Sequence, residues 1–202
     1  MDIYLIRHGQ TTWNREERLQ GWKDSPLTDQ GKKEAQALAR DFSSLPLDQI
    51  FSSDLGRALE TAKYFLRGRD LELKVRPELR ELALGPWEGK LFEEVKREAP
   101  QALATYFNHP DRHHMEGVED YHDLMDRIGS FMEEVRQLEA QRILVVAHGV
   151  SVAAICNLIE NKPLKAFWDR PLSRGLGITH IQRRGKDFFI KKHAQAIEGQ
   201  SY

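Results

Sequence analysis

Two histidines and two arginines occupy positions from which they could bind and attack a phosphate group. Arg7 and His8 directly follow one short apolar run, His148 follows another, and Arg57 comes shortly after a third. Guanidinium groups bind tetrahedral oxyanions in bidentate fashion. A neutral imidazole can attack phosphorus while a second histidine stabilises the charge on the equatorial oxygens. If the fold brings these four side chains together, they predict a phosphate site that needs no metal ion.

The apolar runs before these residues predict strands that are buried on both faces. Residues 3–6 (IYLI) and 143–147 (ILVVA) each end at a His-Gly pair, as a buried strand does when it reaches the rim of a sheet. Ile50 and Phe51 end a third strand. Ligands of open parallel sheets bind beyond the carboxyl ends of the strands, so we expect the two histidines and Arg57 to lie close together.

Helical periodicity between these strands completes an alternating pattern. We predict a helix from about 29 to 42 capped by Thr28, one capped by Ser53 or Asp54 with Arg57 in its first turn, and long amphipathic and apolar helices after Gly117 and Gly149. Residues 71–76 alternate like a half-exposed strand, and residues 184–186 separate two strands of a hairpin. The pattern predicts an α/β fold, a three-layer α/β/α sandwich with a mainly parallel central sheet.

Composition excludes several classes of protein. The chain has 202 residues, 40% apolar and 30% charged, which predicts a single globular domain. A net charge of -1 gives no excess positive field for nucleic acid or for a membrane surface. The single cysteine, Cys156, excludes an internal disulfide and is interpreted as a packed thiol. Without an apolar run of about 18 residues or a secretory pattern, we expect a cytoplasmic protein.

Five ordered blocks resemble a known family. They are RHGQTTWN (7–14), LQGWKDSPLTDQG (19–31), SSDLGRALETA (52–62), LRELALGPWEG (79–89) and VVAHGVS (145–151). Their residues and order are similar to those of the histidine phosphatase superfamily, also called the cofactor-dependent phosphoglycerate mutase-like family. A lone RHG would be a weak signal, whereas five blocks in order are a strong one. The resemblance implies a phosphoglycerate mutase-like fold.

The resemblance also implies roles for individual residues. It makes His8 the nucleophile that becomes phosphohistidine and Glu81 the general acid and base. It assigns the phosphate pocket to Arg7, Asn14, Arg57, His148 and the Gly149 amide, and a place at the pocket mouth to Gln20. Gln10 stands where glutamate is more usual, and Val118 stands where a second glycine is common. We interpret both as tolerated variants, the second of which could reshape the mouth.

The implied activity is a metal-independent phosphatase that hydrolyses small phosphomonoesters through the His8 intermediate, without a cofactor. Alpha-ribazole, phosphoserine and broad-specificity phosphatases share these blocks. The alternative is a cofactor-dependent phosphoglycerate mutase, but the family's mutases carry a longer insertion after the acid/base block than residues 91–117 provide. A non-catalytic phospholigand-binding protein is a third hypothesis, disfavoured because both histidines and Glu81 are present. A homodimer is left open.

Other side chains leave alternatives open. Glu78 and Glu88 flank Glu81, so spacing alone does not select the acid. The histidines at 109, 113 and 114 invite a metal site, but we favour a solvated lid loop because their spacing within one irregular segment is weak evidence. We therefore predict a single domain over 1–202, with a small lid or cap at about 91–117 and no metal.

Overall fold

A six-stranded, mostly parallel sheet forms the centre of the protein. The computed structural model describes residues 1–170 and 175–194, and the strand order is β3-β2-β4-β1-β5-β6. The first four of these pair in parallel, and the last two add an antiparallel hairpin. The strands are β1 (Asp2–Arg7), β2 (Gln49–Ser52), β3 (Leu73–Val75), β4 (Arg142–Ala147), β5 (Ile178–Arg184) and β6 (Asp187–Lys192). The predicted α/β class, its mainly parallel sheet and the closing hairpin are confirmed.

Helices cover both faces of this sheet. They are α1 (Thr12–Arg15), α2 (Asp29–Asp41), α3 (Gly56–Leu66), α4 (Phe92–Glu98), α5 (Pro100–Asn108), α6 (Tyr121–Gln137) and α7 (Gly149–Ile159). Ala58 and Phe65 of α3 pack with Ile6 and Val146 on one face, in a core separate from that on the other face. On the opposite face, α6 and α7 bury the apolar stripes that their sequences predict. The sheet has one apolar core on each face, and together with the helices on both sides it forms the predicted three-layer sandwich.

Strand register places the two His-Gly pairs side by side. β1 and β4 are parallel neighbours, and their last residues, Arg7 and Ala147, are paired. The His8 amide continues this ladder by donating to the Ala147 carbonyl at 3.0 Å. Because parallel neighbours end at the same edge of a sheet, the residue that follows each strand lies at one rim.

The helix caps confirm one prediction and correct another. Thr28 caps α2 as predicted, since its hydroxyl accepts a hydrogen bond from the Gly31 amide. Helix α3 begins at Gly56 with Leu55 as its N-cap, so the prediction that Ser53 or Asp54 caps it is wrong. The Asp54 carboxylate instead pairs with Arg80.

The segment from 91 to 117 is more ordered than a lid loop. It contains α4 and α5, which are separated at Ala99, and Pro100 is the first residue of α5. His113 is buried among the rings of Trp87, Tyr106 and Tyr121, and burial lowers its pKa. The expectation of a solvated loop is therefore wrong for His113, although His109 and His114 are exposed. Within 1–170 and 175–194, no three metal-ligating side chains gather into a group.

Cys156 and the lengths of the helices test two further expectations. Cys156 is buried in α7, and burial raises the pKa of its thiol to about 12, which fits a packed rather than a reactive cysteine. In the part of the chain that the structure describes, none of the helices has both the length and the apolar character that crossing a bilayer requires.

Candidate active site

The two histidines predicted to share a site are in contact. The rings of His8 and His148 have their centroids 5.1 Å apart and are inclined by 57°. Both side chains are buried, with exposed fractions of 3% and 0%. The prediction that the ends of the two strands are adjacent is confirmed, because two imidazoles at this distance can contact a single tetrahedral group.

His8 is held in one tautomer by its backbone neighbour. Its Nδ1 lies 2.8 Å from the Gly9 carbonyl, which can only accept, so Nδ1 carries the hydrogen in the neutral ring. The Nε2 lone pair then accepts from Arg57 Nε at 3.3 Å. Burial, followed by the charges of Arg57 and Arg7, lowers the pKa of His8 well below its usual value of 6.5. The ring is therefore neutral at pH 7, with its lone pair on Nε2.

Gly9, whose carbonyl contacts His8, is itself anchored through its amide. Its amide donates to the Thr61 hydroxyl of α3 at 3.0 Å, and that hydroxyl donates to the Arg57 carbonyl at 2.7 Å. Helix α2 approaches the same turn so closely that a Cβ on Gly31 would lie 2.3 Å from the Gln10 carbonyl. Only glycine is tolerated at such a contact, which keeps the turn after β1 packed against two helices.

Arg57 is buried and almost fully hydrogen bonded within the protein. Its Nη1 donates to the Lys23 carbonyl at 2.8 Å and to Asp24 at 2.9 Å, and its Nη2 donates to the Gly21 carbonyl at 2.8 Å. With the contact to His8, these bonds use four of its five N–H groups. The guanidinium is thus held beside the Nε2 atom, and one Nη2–H has no partner among the described residues.

The loop 21–24 is the part of the site that sequence reasoning missed. Asp24 also accepts from the Arg57 amide at 3.3 Å, so it caps the start of α3 from 33 residues upstream. A Cβ on Gly56 would lie 2.2 Å from the Asp24 carboxylate, which explains the glycine at that position. Nothing local to α3 could have indicated this cap, because the capping group comes from another block of the sequence.

His148 has a different environment from His8. It is the N-cap of α7, and neither of its ring nitrogens has a hydrogen-bond partner among the described residues. Burial, then the charge of Arg57, lowers the pKa of His148 well below 6.5. A buried polar group without a partner is unusual in proteins and indicates a ligand-binding position. Gly149 begins α7 beside it, so the amide at the start of the helix lies at the same rim.

Glu81 is attached to the same helix terminus. Its two carboxylate oxygens accept from the Val150 amide at 3.0 and 3.1 Å, and Oε1 also accepts from the Leu82 amide at 3.0 Å. Burial lowers the pKa of Arg57, whereas the negative charges of Asp24 and Glu81 act in the opposite direction. Glu81 therefore lies within electrostatic reach of Arg57. The flanking Glu88 is engaged elsewhere, since it accepts from the Trp22 and Lys23 amides.

Arg7 lies on the α7 side of the rim. Its charge contributes to the lowered pKa values of both His8 and His148, which places a second guanidinium beside the two imidazoles. Arg7 and Gly149 line one cleft, together with Asn157 and Thr179. His8, Arg57 and His148 are not among the residues that line this cleft.

Asn14 and Gln20 meet at Thr11. The Asn14 side-chain oxygen accepts from the Thr11 amide at 3.1 Å, and the Gln20 side-chain oxygen accepts from the Thr11 hydroxyl at the same distance. Gln20 immediately precedes Gly21, whose carbonyl binds Arg57. The variant residue Gln10 is accommodated by the Thr28 hydroxyl, which donates to its side chain at 2.9 Å. Val118 packs against Gly85, and the described contacts do not assign it a place at the mouth.

The assembled site combines a neutral nucleophile with converging positive charge. A tetrahedral dianion beside His8 Nε2 would meet Arg57, Arg7, a His148 ring nitrogen and the amides that begin α7. A carboxylate at the same helix terminus could exchange a proton with an oxygen bound to phosphorus. Groups of these types can bind a phosphate and transfer its phosphoryl group to a histidine.

Comparisons with known proteins show which family the chain resembles. A family model described as the histidine phosphatase superfamily (branch 1) matches residues 3–196. Phosphoserine phosphatase 1 of Hydrogenobacter thermophilus is 33% identical over 202 residues, covering 99% of this chain and 95% of that protein.

A second relative carries a different activity in its name. A protein described as a probable phosphoglycerate mutase, GpmB, of Enterobacter sp. (strain 638) is 31% identical over 183 residues, covering 90% of this chain and 84% of that protein. Among solved structures, Bacillus stearothermophilus YhfR superposes with a TM-score of 0.88 at 34% identity, covering 94% of this chain and 95% of that one.

Proposed function

The chain belongs to the histidine phosphatase superfamily, and we propose that it hydrolyses small phosphomonoesters through a phosphohistidine formed on His8, without a metal ion. The observation that carries the proposal is the arrangement around His8. Its Nδ1 is bonded to the Gly9 carbonyl, its Nε2 lone pair faces Arg57, and its ring lies 5.1 Å from that of His148. A neutral imidazole with its lone pair on Nε2 is the form that can attack phosphorus.

In the first step, His8 Nε2 forms a bond to phosphorus as the bond from phosphorus to the ester oxygen breaks. The Arg57 Nε–H, which donates to His8 in this structure, would turn to a phosphate oxygen and so release the lone pair for attack. Arg7, Asn14, His148 and the Gly149 amide would bind the remaining oxygens and stabilise the charge that accumulates there. Glu81, in its protonated form, would donate its proton to the departing alkoxide.

In the second step, water replaces the alcohol. Glu81, now a carboxylate, would take a proton from the water as its oxygen attacks phosphorus, and the bond from phosphorus to His8 Nε2 breaks. Inorganic phosphate leaves, and the imidazole is again neutral. The lowered pKa of His8 supports this cycle, because a histidine with a low pKa is a better leaving group from phosphorus and returns to its reactive form at pH 7.

A phosphoglycerate mutase is the second candidate, since one relative is named for that activity. A mutase must exclude water from the phosphohistidine and return the phosphoryl group to a bound acid. Here the segment 91–117, which we propose as the cap, contains two short helices of seven and nine residues. The phosphatase relative also matches a larger share of this chain. Both observations favour hydrolysis.

The test is a screen of phosphorylated metabolites in the presence of EDTA, with release of inorganic phosphate as the readout. The panel includes phosphoserine, alpha-ribazole phosphate, 3-phosphoglycerate and p-nitrophenyl phosphate, and mutase activity is assayed in parallel. We expect hydrolysis that persists in the chelator. A strict requirement for a divalent cation would contradict the mechanism. Absence of turnover with every ester, including p-nitrophenyl phosphate, would favour a binding protein.

A further inference from the structure

The loop that carries Glu81 is held by a buried ion pair that belongs to other elements. Residues 78–83 begin within the short helix Pro77–Leu79 and form no strand or α-helix. Backbone groups in such a segment need partners from elsewhere. Arg127 of α6 and Glu119, which precedes α6, supply several of them.

Arg127 uses every one of its N–H groups. Its Nη1 donates to the carbonyls of Glu78 and Arg80, both at 2.6 Å, and its Nη2 donates to the Glu81 carbonyl at 3.0 Å. The remaining N–H groups, on Nε and Nη2, bind the two carboxylate oxygens of Glu119 at 2.5 and 2.9 Å. One planar guanidinium therefore binds three carbonyls of the Glu81 loop, which a lysine ammonium with three hydrogens could not do while also pairing with a carboxylate.

Glu119 binds the backbone on the other side of Glu81. Its Oε2 accepts from the Ala83 amide at 3.1 Å in addition to the bond from Arg127. The side chains of Arg127 and Glu119 are only 16% and 10% exposed, so water competes little for these charge-assisted bonds. Together they fix the backbone on both sides of the Glu81 side chain.

We propose that Arg127 and Glu119 are positioning residues that orient the Glu81 carboxyl towards the leaving oxygen. The inference rests on the proposed role of Glu81 as general acid. A displacement of about 1 Å in a catalytic group costs roughly 10²-fold in rate, so loss of the pair should weaken proton donation even though neither side chain needs to touch the substrate.

Comparing two esters with different leaving groups gives a measurement that general destabilisation of the protein does not change. β-Glycerol phosphate releases a poor leaving group that needs a proton, whereas p-nitrophenolate leaves with little help. The ratio of kcat/KM for these two esters therefore measures proton donation in the first step. Arg127 also contributes positive charge near His148, but loss of that charge weakens phosphate binding for both esters and leaves their ratio unchanged.

We expect Arg127→Gln to lower the ratio, alkyl over aryl, by about 10- to 100-fold. Arg127→Lys, which keeps the charge but not the fork of donors, should lower it nearly as far, and Glu119→Gln should lower it less. Arg76→Gln is the matched control, because Arg76 forms a bidentate pair with Glu134 of the same helix at 2.7 and 2.8 Å, and its side chain makes none of these loop contacts. This control should leave the ratio within about threefold of wild type.

The variants distinguish the positioning role of Arg127 and Glu119 from the role of Glu81 as general acid. An unchanged ratio in Arg127→Lys and Glu119→Gln, in folded protein that shows the expected drop for Glu81→Gln, would overturn the positioning role and leave the proposed function intact. If Glu81→Gln does not lower the ratio of kcat/KM, Glu81 is not the general acid, and Arg127 and Glu119 have no acid to orient. If Arg127→Gln does not fold, as judged by circular dichroism, Arg127→Lys and Glu119→Gln decide the question.

Discussion

The two strand ends of the site have the same sequence pattern but different chemistry. In β1 and in β4, a buried apolar run ends in histidine followed by glycine, and the strands pair in register. At the end of β1, both ring nitrogens of His8 have partners, the Gly9 carbonyl and Arg57. At the end of β4, neither nitrogen of His148 has one among the described residues. The ring of His8, the proposed nucleophile, is held in one tautomer, whereas the ring of His148 is not fixed by a described partner.

The difference arises from the backbone immediately after each histidine. After His8 the chain turns, the Gly9 carbonyl lies 2.8 Å from the ring, and the Gly9 amide is anchored on Thr61. After His148 a helix begins at once, and the first turn of a helix presents N–H groups rather than acceptors. The ring of His148 therefore has no backbone acceptor among the described residues. The backbone that follows each histidine, rather than the His-Gly pair itself, therefore determines whether the ring has an acceptor that fixes its tautomer.

The largest expected effect is at His8, the proposed nucleophile. His8→Ala removes the atom that bonds to phosphorus, so turnover and acid-labile labelling by radioactive substrate should both disappear. Labelling is measured after acid and after alkaline quench, since phosphohistidine survives only the latter. Retention of full activity in His8→Ala would contradict covalent catalysis and abolish the distinction between the two strand ends.

Glu81 extends the comparison to the helix side of the site, because its carboxylate is bonded to the Val150 amide two residues after His148. Glu81→Gln keeps this contact but cannot donate a proton to an alkoxide. We expect phosphohistidine formation from an alkyl phosphate to slow by about 10²- to 10⁴-fold. With p-nitrophenyl phosphate, a burst of nitrophenol should precede slow turnover, because the attacking water has lost its base.

The same single-turnover measurements test the choice of acid. Glu78→Gln and Glu88→Gln serve as controls for Glu81→Gln, since both residues flank it in the sequence. Equal slowing of alkyl and aryl esters in Glu81→Gln would show that Glu81 is not the general acid.

A smaller effect is expected at His148. His148→Gln retains an N–H donor but loses the ring, and removal of one oxyanion-binding group typically costs about 10²- to 10³-fold in kcat. Labelling of His8 should still occur on longer incubation, measured as radioactivity in the denatured protein. If His148→Gln abolished labelling as completely as His8→Ala, the two histidines would share one role and the comparison would fail.

The smallest effect concerns stability against pH. Both histidines have a pKa in the folded protein well below 6.5, so below about pH 6.5 the unfolded chain binds more protons than the folded one, and stability falls as pH decreases. Each histidine contributes a slope of at most about 1.4 kcal/mol per pH unit. In phosphate-free buffer, His148→Asn should lose less stability than wild type between pH 7 and 5.5, by about 1 kcal/mol.

The measurement for this prediction is urea unfolding at the two pH values. His109→Asn, at an exposed histidine of α5's C-cap, is the matched control and should follow the wild-type pH dependence. If the stability of His148→Asn depends on pH as steeply as that of the wild type, His148 is not held neutral by the fold.

Much of the site was accessible from the sequence because local patterns fix where strands and helices begin and end. The apolar runs before His8 and His148 predicted two neighbouring strand ends, and Thr28 predicted the start of α2. Two predictions were wrong because the structural partner lay far along the chain. Asp24 caps α3 in place of Ser53 or Asp54, and His113 is buried by rings from three different elements.

Arg127 shows how a sequence signal can exist and still be insufficient. It lies three residues after Leu124 and four before Phe131, beside the apolar stripe of α6, which is an unusual position for a charge. Its function in holding the Glu81 loop depends on carbonyls at residues 78, 80 and 81, almost 50 residues away. Spacing along one helix cannot identify such partners.

The sequence by itself determined the elements of this protein and the residue types at their ends, since hydrophobic periodicity, capping residues and glycine depend on neighbours a few positions away. The tertiary structure alone decided which groups meet at those ends. It placed four protein acceptors around Arg57, left His148 without a partner in the described chain, and attached Glu81 to the amide of Val150. The reason is physical, because hydrogen-bond partners and lowered pKa values depend on distances in space between segments that are remote along the chain.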